Sequence, residues 1–288
     1  MCAPLGNEKE LVQRDPNGGA TPANHATATV EPMTSDELNA MITTDDRHWW
    51  YRGRRRVLRA TLDGLELASP CRILDAGCGS GRTLDELDDY GAACGVDLSP
   101  AAVDATRSRG HAAHVGSVED LPFPDGTFDL VTCLDVVEHT RDDRRTLGEL
   151  RRVTRPGGAL LVTVPAHPTL WSAHDEANLH YRRYTRRSLI DAAVETDWDV
   201  AESTYFNAAL LAPAAVVRLA RRRAPSGRSE LGLTPPALDR VLEWPSRAEA
   251  ALLRSGVGVP FGLSLLAVFR AAEVAVVSRP HGHLAIAA

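Results

Sequence analysis

Two stretches of this chain space their residue types as binding or proton-transfer chemistry would require. In 73-ILDAGCGSGRTLDEL-87 an apolar run leads into Asp75, and Gly77, Cys78, Gly79 and Gly81 follow before a helical pattern begins. Glycine has no Cβ, so it permits positive φ and close backbone approach. A helix starting there offers its free N–H groups to a ligand. The second stretch, 167-HPTLWSAHDEANLHYRRYTRRSL-189, holds His167, His174 and His180 among Asp175, Glu176, Tyr181 and Tyr184. Histidine titrates near neutral pH, and a carboxylate beside it orients the ring and raises its basicity. His174 or His180 is therefore the candidate base, with Asp175 and Tyr184 in support. The competing reading is that these residues only fix the loop by hydrogen bonding. A metal held by His174, Asp175 and His180 is a lesser alternative, and no metal is expected.

A third feature sharpens the first. In 95-GVDLSP-100, Asp97 ends an apolar run about twenty residues beyond the glycines, where a carboxylate can accept both hydroxyls of a ribose. An acid at the loop entry, Asp75, would repel a nucleotide phosphate but attract an ammonium group. The pair fits S-adenosylmethionine (SAM), which carries ribose, ammonium and sulfonium and no phosphate.

These residues need a frame. Short apolar runs at 71–76, 92–98, 111–115, 128–135 and 158–165 alternate with helical patterns near 81–90, 100–109 and 140–154. That alternation predicts a parallel sheet covered by helices on both faces. Thr140 is the expected N-cap of the third helix, and Pro156-Gly157-Gly158 the turn that ends it. A helix at 186–196 and strands at 198–205 and 262–271 follow; if those strands pair, the material between them is a helical insertion. The chain thus divides into an arm at 1–33, expected to be disordered, a core at 34–205, an insertion at 206–256 and a last strand with its tail at 257–288. A helix is expected at 35–42, and 48-HWWYRGRRRVLRATL-62 leads into an amphipathic helix.

The motifs ILDAGCGSG, GVDLSP, VEDLPFPDGTFDLV, LDVVEHT and RRVTRPGGALLVTVP together resemble those of the class I SAM-dependent methyltransferases, over roughly residues 45–205 and 260–271. The resemblance implies an α/β, Rossmann-like, seven-stranded and mostly parallel sheet, with an N-terminal helical lid and a helical insertion before the last strand. It implies SAM as cofactor and S-adenosylhomocysteine as product. Gly77, Gly79 and Gly81 would contact SAM, Asp97 its ribose and Leu98 its adenine. Residues 117–119 (Ser117, Val118, Glu119) would line the adenine edge, with Leu134 and Asp135 beside the methionine portion. Ser117 stands where relatives often carry Asp, so its hydroxyl would accept without charge assistance, or Glu119 or Asp120 substitutes. The lid string would place Tyr51 or Arg55 on the SAM carboxylate. The acceptor would sit beyond the sulfonium, near Asp135, Glu138, His139, Pro165 and His167. The chain also looks similar to bacterial indole C3-methyltransferases, which implies C-methylation of an aromatic ring in natural-product biosynthesis; O- or N-methylation of another secondary metabolite is the alternative.

Composition narrows the remainder. Hydrophobic residues make up 44%, charged residues 24%, and net charge is -6, which points away from nucleic acid. The clusters 54-RRR-56, 182-RR-183, 186-RR-187 and 221-RRR-223 are local and read as solvated faces. Five cysteines with no CxxC pair read as reduced thiols of a cytoplasmic protein. No signal peptide and no apolar run long enough to span a membrane are expected. A nicotinamide-dependent oxidoreductase would carry G-x-G-x-x-G and no acid at position 75. A SAM-binding module without catalysis would leave the histidine-rich loop unexplained. The partner expected is a small molecule. The insertion would roof an apolar acceptor or, second, form a homodimer face.

Overall fold

The structure, a computed structural model, describes residues 48–221 and 236–272. The arm at 1–33, the helix expected at 35–42 and most of the polar break at 224–236 lie outside them. The chain opens with α1 (Trp49–Leu62), followed by β1 (Arg72–Ala76), α2 (Arg82–Leu87), β2 (Ala92–Asp97), α3 (Pro100–Ser108) and β3 (Ala112–Val115). Next come β4 (Phe128–Leu134), a 3-10 turn at Val137–His139, α4 (Asp143–Val153), β5 (Thr154–Pro165), a second 3-10 turn at Pro168–Leu170 and α5 (Ala173–Ala177). The chain continues through α6 (Arg186–Val194), β6 (Trp198–Phe206), α7 (Ala208–Arg221), α8 (Pro236–Arg254) and β7 (Ser264–Ala271).

One sheet holds all seven strands in the order β3-β2-β1-β4-β5-β7-β6. β1 to β5 are parallel, and β7 runs antiparallel between β5 and β6. The strand period of two sends alternate residues to two cores. Leu74, Val131, Leu160 and Phe269 face α4 and α6, which contribute Leu147, Leu150, Leu189 and Ala193. Ile73, Leu130, Leu161 and Val268 face the other way, toward α1, α2 and α8. Every residue of β4 is buried, as a strand covered on both faces must be. The expected mostly parallel sheet, its covering helices and the β6–β7 pairing are all present.

Local chemistry decides the helix starts. Ser99 caps α3 by accepting from the Ala102 N–H at 3.3 Å, with Pro100 in its first turn. α4 is capped by Asp142, which accepts from the Arg145 N–H at 3.0 Å, and not by Thr140. Thr140 instead donates to the Val137 carbonyl at 2.8 Å and closes the preceding 3-10 turn. Pro156-Gly157-Gly158 is a second departure: α4 ends at Val153 and β5 begins directly. Phe128 pairs with Thr154 and Leu130 with Ala159, so the proline-glycine run forms a bulge within the strand.

α8, between β6 and β7 in the chain, docks on α1. Glu243 of α8, buried, takes ion pairs from Arg52 and, at 2.6 Å, from Arg56 of α1. A Cβ on Gly53 would lie 3.0 Å from Ser246, so the two helices pass in close contact. Glu249 accepts from the Asn207 and Ala208 N–H groups at 2.8 and 2.7 Å and anchors the start of α7.

Candidate active site

The parallel strands deliver Gly77, Asp97 and Asp135 to one edge of the sheet, outside the carboxyl ends of β1, β2 and β4. At Gly77 and Gly81 φ is +82° and +76°, which side chains rarely adopt. A Cβ on Gly77 would meet Val136 at 2.4 Å, and one on Gly81 would meet Thr106 at 2.8 Å. At both positions the close approach belongs to the protein's own side chains. The Cys78 side chain is buried beside Thr106, its sulfur 3.6 Å from the hydroxyl, and burial pushes the thiol up to about 12. That side chain packs inward and only its backbone belongs to the bend.

Asp97 braces the bend. Its two oxygens accept from the Gly79 and Ser99 N–H groups, each at 2.9 Å. Burial raises its pKa against the pull of those amides. Leu98 beside it is 39% exposed, the exposed apolar side chain that a stacked ring would cover. Asp75 is buried, accepts from the Thr132 hydroxyl at 2.7 Å and has its pKa raised to about 7 by burial. The Ser117 hydroxyl accepts from the Glu119 N–H at 3.1 Å, so it closes its own turn. Val118 packs on the core, and Leu134 is buried at the end of β4.

From α1 it is Arg54, and not Arg55, that reaches the end of β4. Arg54 donates to Asp135 at 2.8 Å and lies over the rings of Trp50 and Tyr51, at 5.4 and 5.7 Å from their centres. Arg55 is buried, with Glu86 3.9 Å away on the side of α2. With Arg56 on Glu243, each arginine of 54-RRR-56 faces an acid, which corrects the solvated-face reading. Arg183, 6% exposed and paired with Asp175, corrects it again. A run of three identical residues has no periodicity, so nothing in it singled out Arg54.

The histidine loop is brought to the same edge. Asp175, fully buried, accepts from the His180 ring at 3.0 Å, from Arg183 at 2.6 Å and from the Ser172 N–H at 2.9 Å. Burial alone would raise its pKa, but His180, Arg183 and the Ser172 amide outweigh it and hold the carboxyl well below the usual range. An ionised Asp175 facing Nδ1 orients the His180 ring and turns Nε2 away from the carboxylate. His180 packs edge-on against His139, ring centres 4.7 Å apart, and Glu138 completes the group. His174 stands outside this group. Tyr184 does not support the base: it is buried in the core and its hydroxyl donates to Asp143 at 3.0 Å. His167 is bonded to the Gly262 carbonyl at 2.9 Å and stacks on Tyr205, so it fixes the loop.

Comparison with known proteins agrees with this frame. The methyltransferase domain family matches residues 74–162. A probable chloroplastic tocopherol O-methyltransferase from Oryza sativa subsp. japonica is 34% identical over 170 residues, 50% of this chain and 45% of that one. The malonyl-[acyl-carrier protein] O-methyltransferase of Pseudescherichia vulneris is 31% identical over 64% of this chain and 78% of its own length. The chain belongs to the class I SAM-dependent methyltransferases. A solved geranyl diphosphate C-methyltransferase from Streptomyces coelicolor A3(2) shares the fold, with a TM-score of 0.52 and 17% identity over 84% of this chain and 86% of that one. The methyltransferase spans about half the length of the first curated relatives it matches, between 45% and 52%.

SAM is the cofactor of this methyltransferase, and the donor set suits it. The bend presents two carboxylates, while Arg82 beside it is spoken for by Asp85 at 3.0 Å and Glu86 at 3.4 Å. Such a surface favours an ammonium or sulfonium and disfavours a phosphate. The four described cysteines are buried and unpaired, and no helix among the described residues is long and apolar enough to cross a membrane.

Proposed function

We propose that this methyltransferase moves a methyl group from SAM to a small, largely apolar natural-product acceptor, with C-methylation of an indole-type ring favoured. Bound SAM supplies an electrophilic methyl on a cationic sulfur. The bend at Gly77, Cys78, Gly79 and Gly81 backs the nucleoside, Asp97 accepts from the ribose hydroxyls, and Leu98 with residues 117–119 covers the adenine. Asp75 meets the ammonium, with Leu134 and Asp135 beside the methionine chain. Arg54, rather than Tyr51 or Arg55, is the lid cation turned toward the strand ends, where a guanidinium suits a carboxylate.

The observation that carries the acceptor chemistry is His180 held by a buried, ionised Asp175 at that same edge. Its Nε2 takes the proton that makes the acceptor nucleophilic, and positioning by the closed lid does much of the rest. The relatives' printed names, tocopherol and geranyl diphosphate among them, support an apolar acceptor. O- or N-methylation of another metabolite is the second reading. The α7–α8 insertion roofs the acceptor through its dock on α1. A homodimer face is its second role, and exposed Trp244 supports that role. The buried thiols support a cytoplasmic setting.

The test is incubation with isotopically labelled SAM and a panel of indoles, phenols and amino sugars, read by mass spectrometry. Label on indole carbon is expected; label on a sugar amine alone would defeat the C-methylation reading. His180→Gln should keep SAM affinity within about twofold and slow transfer by about 10²–10⁴. Full activity in that variant removes His180 from proton transfer.

A further inference from the structure

Glu138 stands out among the buried acids. It is 1% exposed, and its Oε2 has no hydrogen-bond partner. A buried acceptor left unpaired costs about 1–3 kcal/mol, more when charged. What surrounds it is chemically specific: one ligand atom each from Glu138, His139 and His180 lie within 4.8 Å of one another. The His180 imidazole is anchored from behind, where Asp175 holds it at Nδ1, and the His139 ring packs edge-on against it with ring centres 4.7 Å apart. Metal-binding histidines are oriented in this way, with the far nitrogen tied to a carboxylate or a backbone carbonyl.

We propose that Glu138, His139 and His180 form a binding site for one divalent transition-metal ion of the class that prefers two imidazoles and a carboxylate, such as Zn²⁺ or Co²⁺. Imidazole suits Zn²⁺, Co²⁺ and Ni²⁺, whereas Mg²⁺ and Ca²⁺ prefer an all-oxygen shell. With zinc–nitrogen bonds of about 2.0–2.1 Å the three ligand atoms must draw to within about 3.5 Å of one another, a side-chain adjustment of about an ångström. The inference goes beyond methyl transfer and does not rest on the acceptor's identity. A metal ion and a proton compete for Nε2 of His180, so occupancy would switch off the base proposed above.

The experiment is calorimetric titration of the purified full chain with Zn²⁺, with Co²⁺ as a visible-absorption probe and Mg²⁺ as control. One equivalent of Zn²⁺ is expected, with Mg²⁺ at least tenfold weaker. Glu138→Gln and His139→Gln should each lower Zn²⁺ affinity at least tenfold. Asp175→Asn, acting through His180, should lower it by about 10–100-fold. His111, which faces Asp85 at 2.6 Å and Asp88 at 3.4 Å outside this cluster, serves as the control, and His111→Ala should leave Zn²⁺ affinity unchanged. Circular dichroism melts confirm that each variant is folded. No Zn²⁺ binding at about 100 μM, or equal binding in folded Glu138→Gln and His139→Gln proteins, would overturn the proposal. SAM titrated into the same samples separates the two readings: SAM binding without Zn²⁺ binding defeats the metal site alone, and Zn²⁺ binding without SAM binding supports the site while defeating the methyl-transfer reading.

Discussion

Asp75 offers a perturbation whose size can be worked from the structure. Its carboxyl is buried at the end of β1, and burial raises its pKa from 3.8 to about 7, against the Thr132 hydroxyl and Arg54 and with help from Asp97. The folded chain holds this proton up to about pH 7, whereas the unfolded chain releases it near 3.8. Stability must therefore fall as pH rises through that window, and the loss is complete above it. At about 1.4 kcal/mol for each tenfold of proton affinity, the ionised carboxyl costs up to about 4 kcal/mol. Asp75→Asn keeps the shape and can still accept from Thr132, but it carries no charge. Without SAM, the variant should be more stable than the parent at pH 8 by up to about 4 kcal/mol, roughly 10 °C in melting temperature for a domain of this size. Near pH 4 the two should converge. SAM affinity should move the other way, about 10–100-fold weaker in the variant at pH 8, because a charge-assisted contact to the ammonium is gone. Denaturant melts at pH 4 and pH 8 read the first effect and calorimetry the second. A variant no more stable than the parent at pH 8 would show that Asp75 is not a destabilised carboxylate, and the account of why an acid sits at the loop entry would fail with it.

Asp97→Ala removes the brace on Gly79 and Ser99 and, on the proposed reading, the ribose contacts. It should weaken S-adenosylhomocysteine binding by about 10²–10⁴, and an affinity within threefold of the parent would sink the ribose assignment. Glu243→Gln should loosen α8 from α1. Breaking a fully buried ion pair costs about 3–5 kcal/mol, but Arg52 and Arg56 remain 33% and 30% exposed, so about 1–3 kcal/mol is expected. Faster amide exchange confined to α1 and α8 is the readout, and unchanged exchange there would mean that the insertion is held by its apolar contacts instead.

How much of this the sequence could disclose depended on whether the deciding interaction was local. The glycine bend and Asp97 were legible because strand, turn, helix and next strand follow each other directly, and parallel pairing brings Asp97 beside the bend. Thr140 and Asp142 are both good caps two residues apart. The choice between them turned on Thr140 being needed for the 3-10 turn at Val137–His139. Pro156-Gly157-Gly158 suits a turn or a bulge equally, and only the pairing of Ala159 with Leu130 selects the bulge. Tyr184 looked like a partner for the base because it lies near His180 in sequence, yet its hydroxyl reaches Asp143, on another element. The same limit explains Glu138 and His139. Each was a candidate at the end of β4, but nothing in LDVVEHT indicates that a residue forty positions later will complete the group. What joins them is the peptide N–H of Tyr181 donating to the Glu138 carbonyl at 2.8 Å, which pins the histidine loop across the end of β4. That bond uses backbone atoms alone, so no side-chain pattern encodes it, although it fixes where His180 lies.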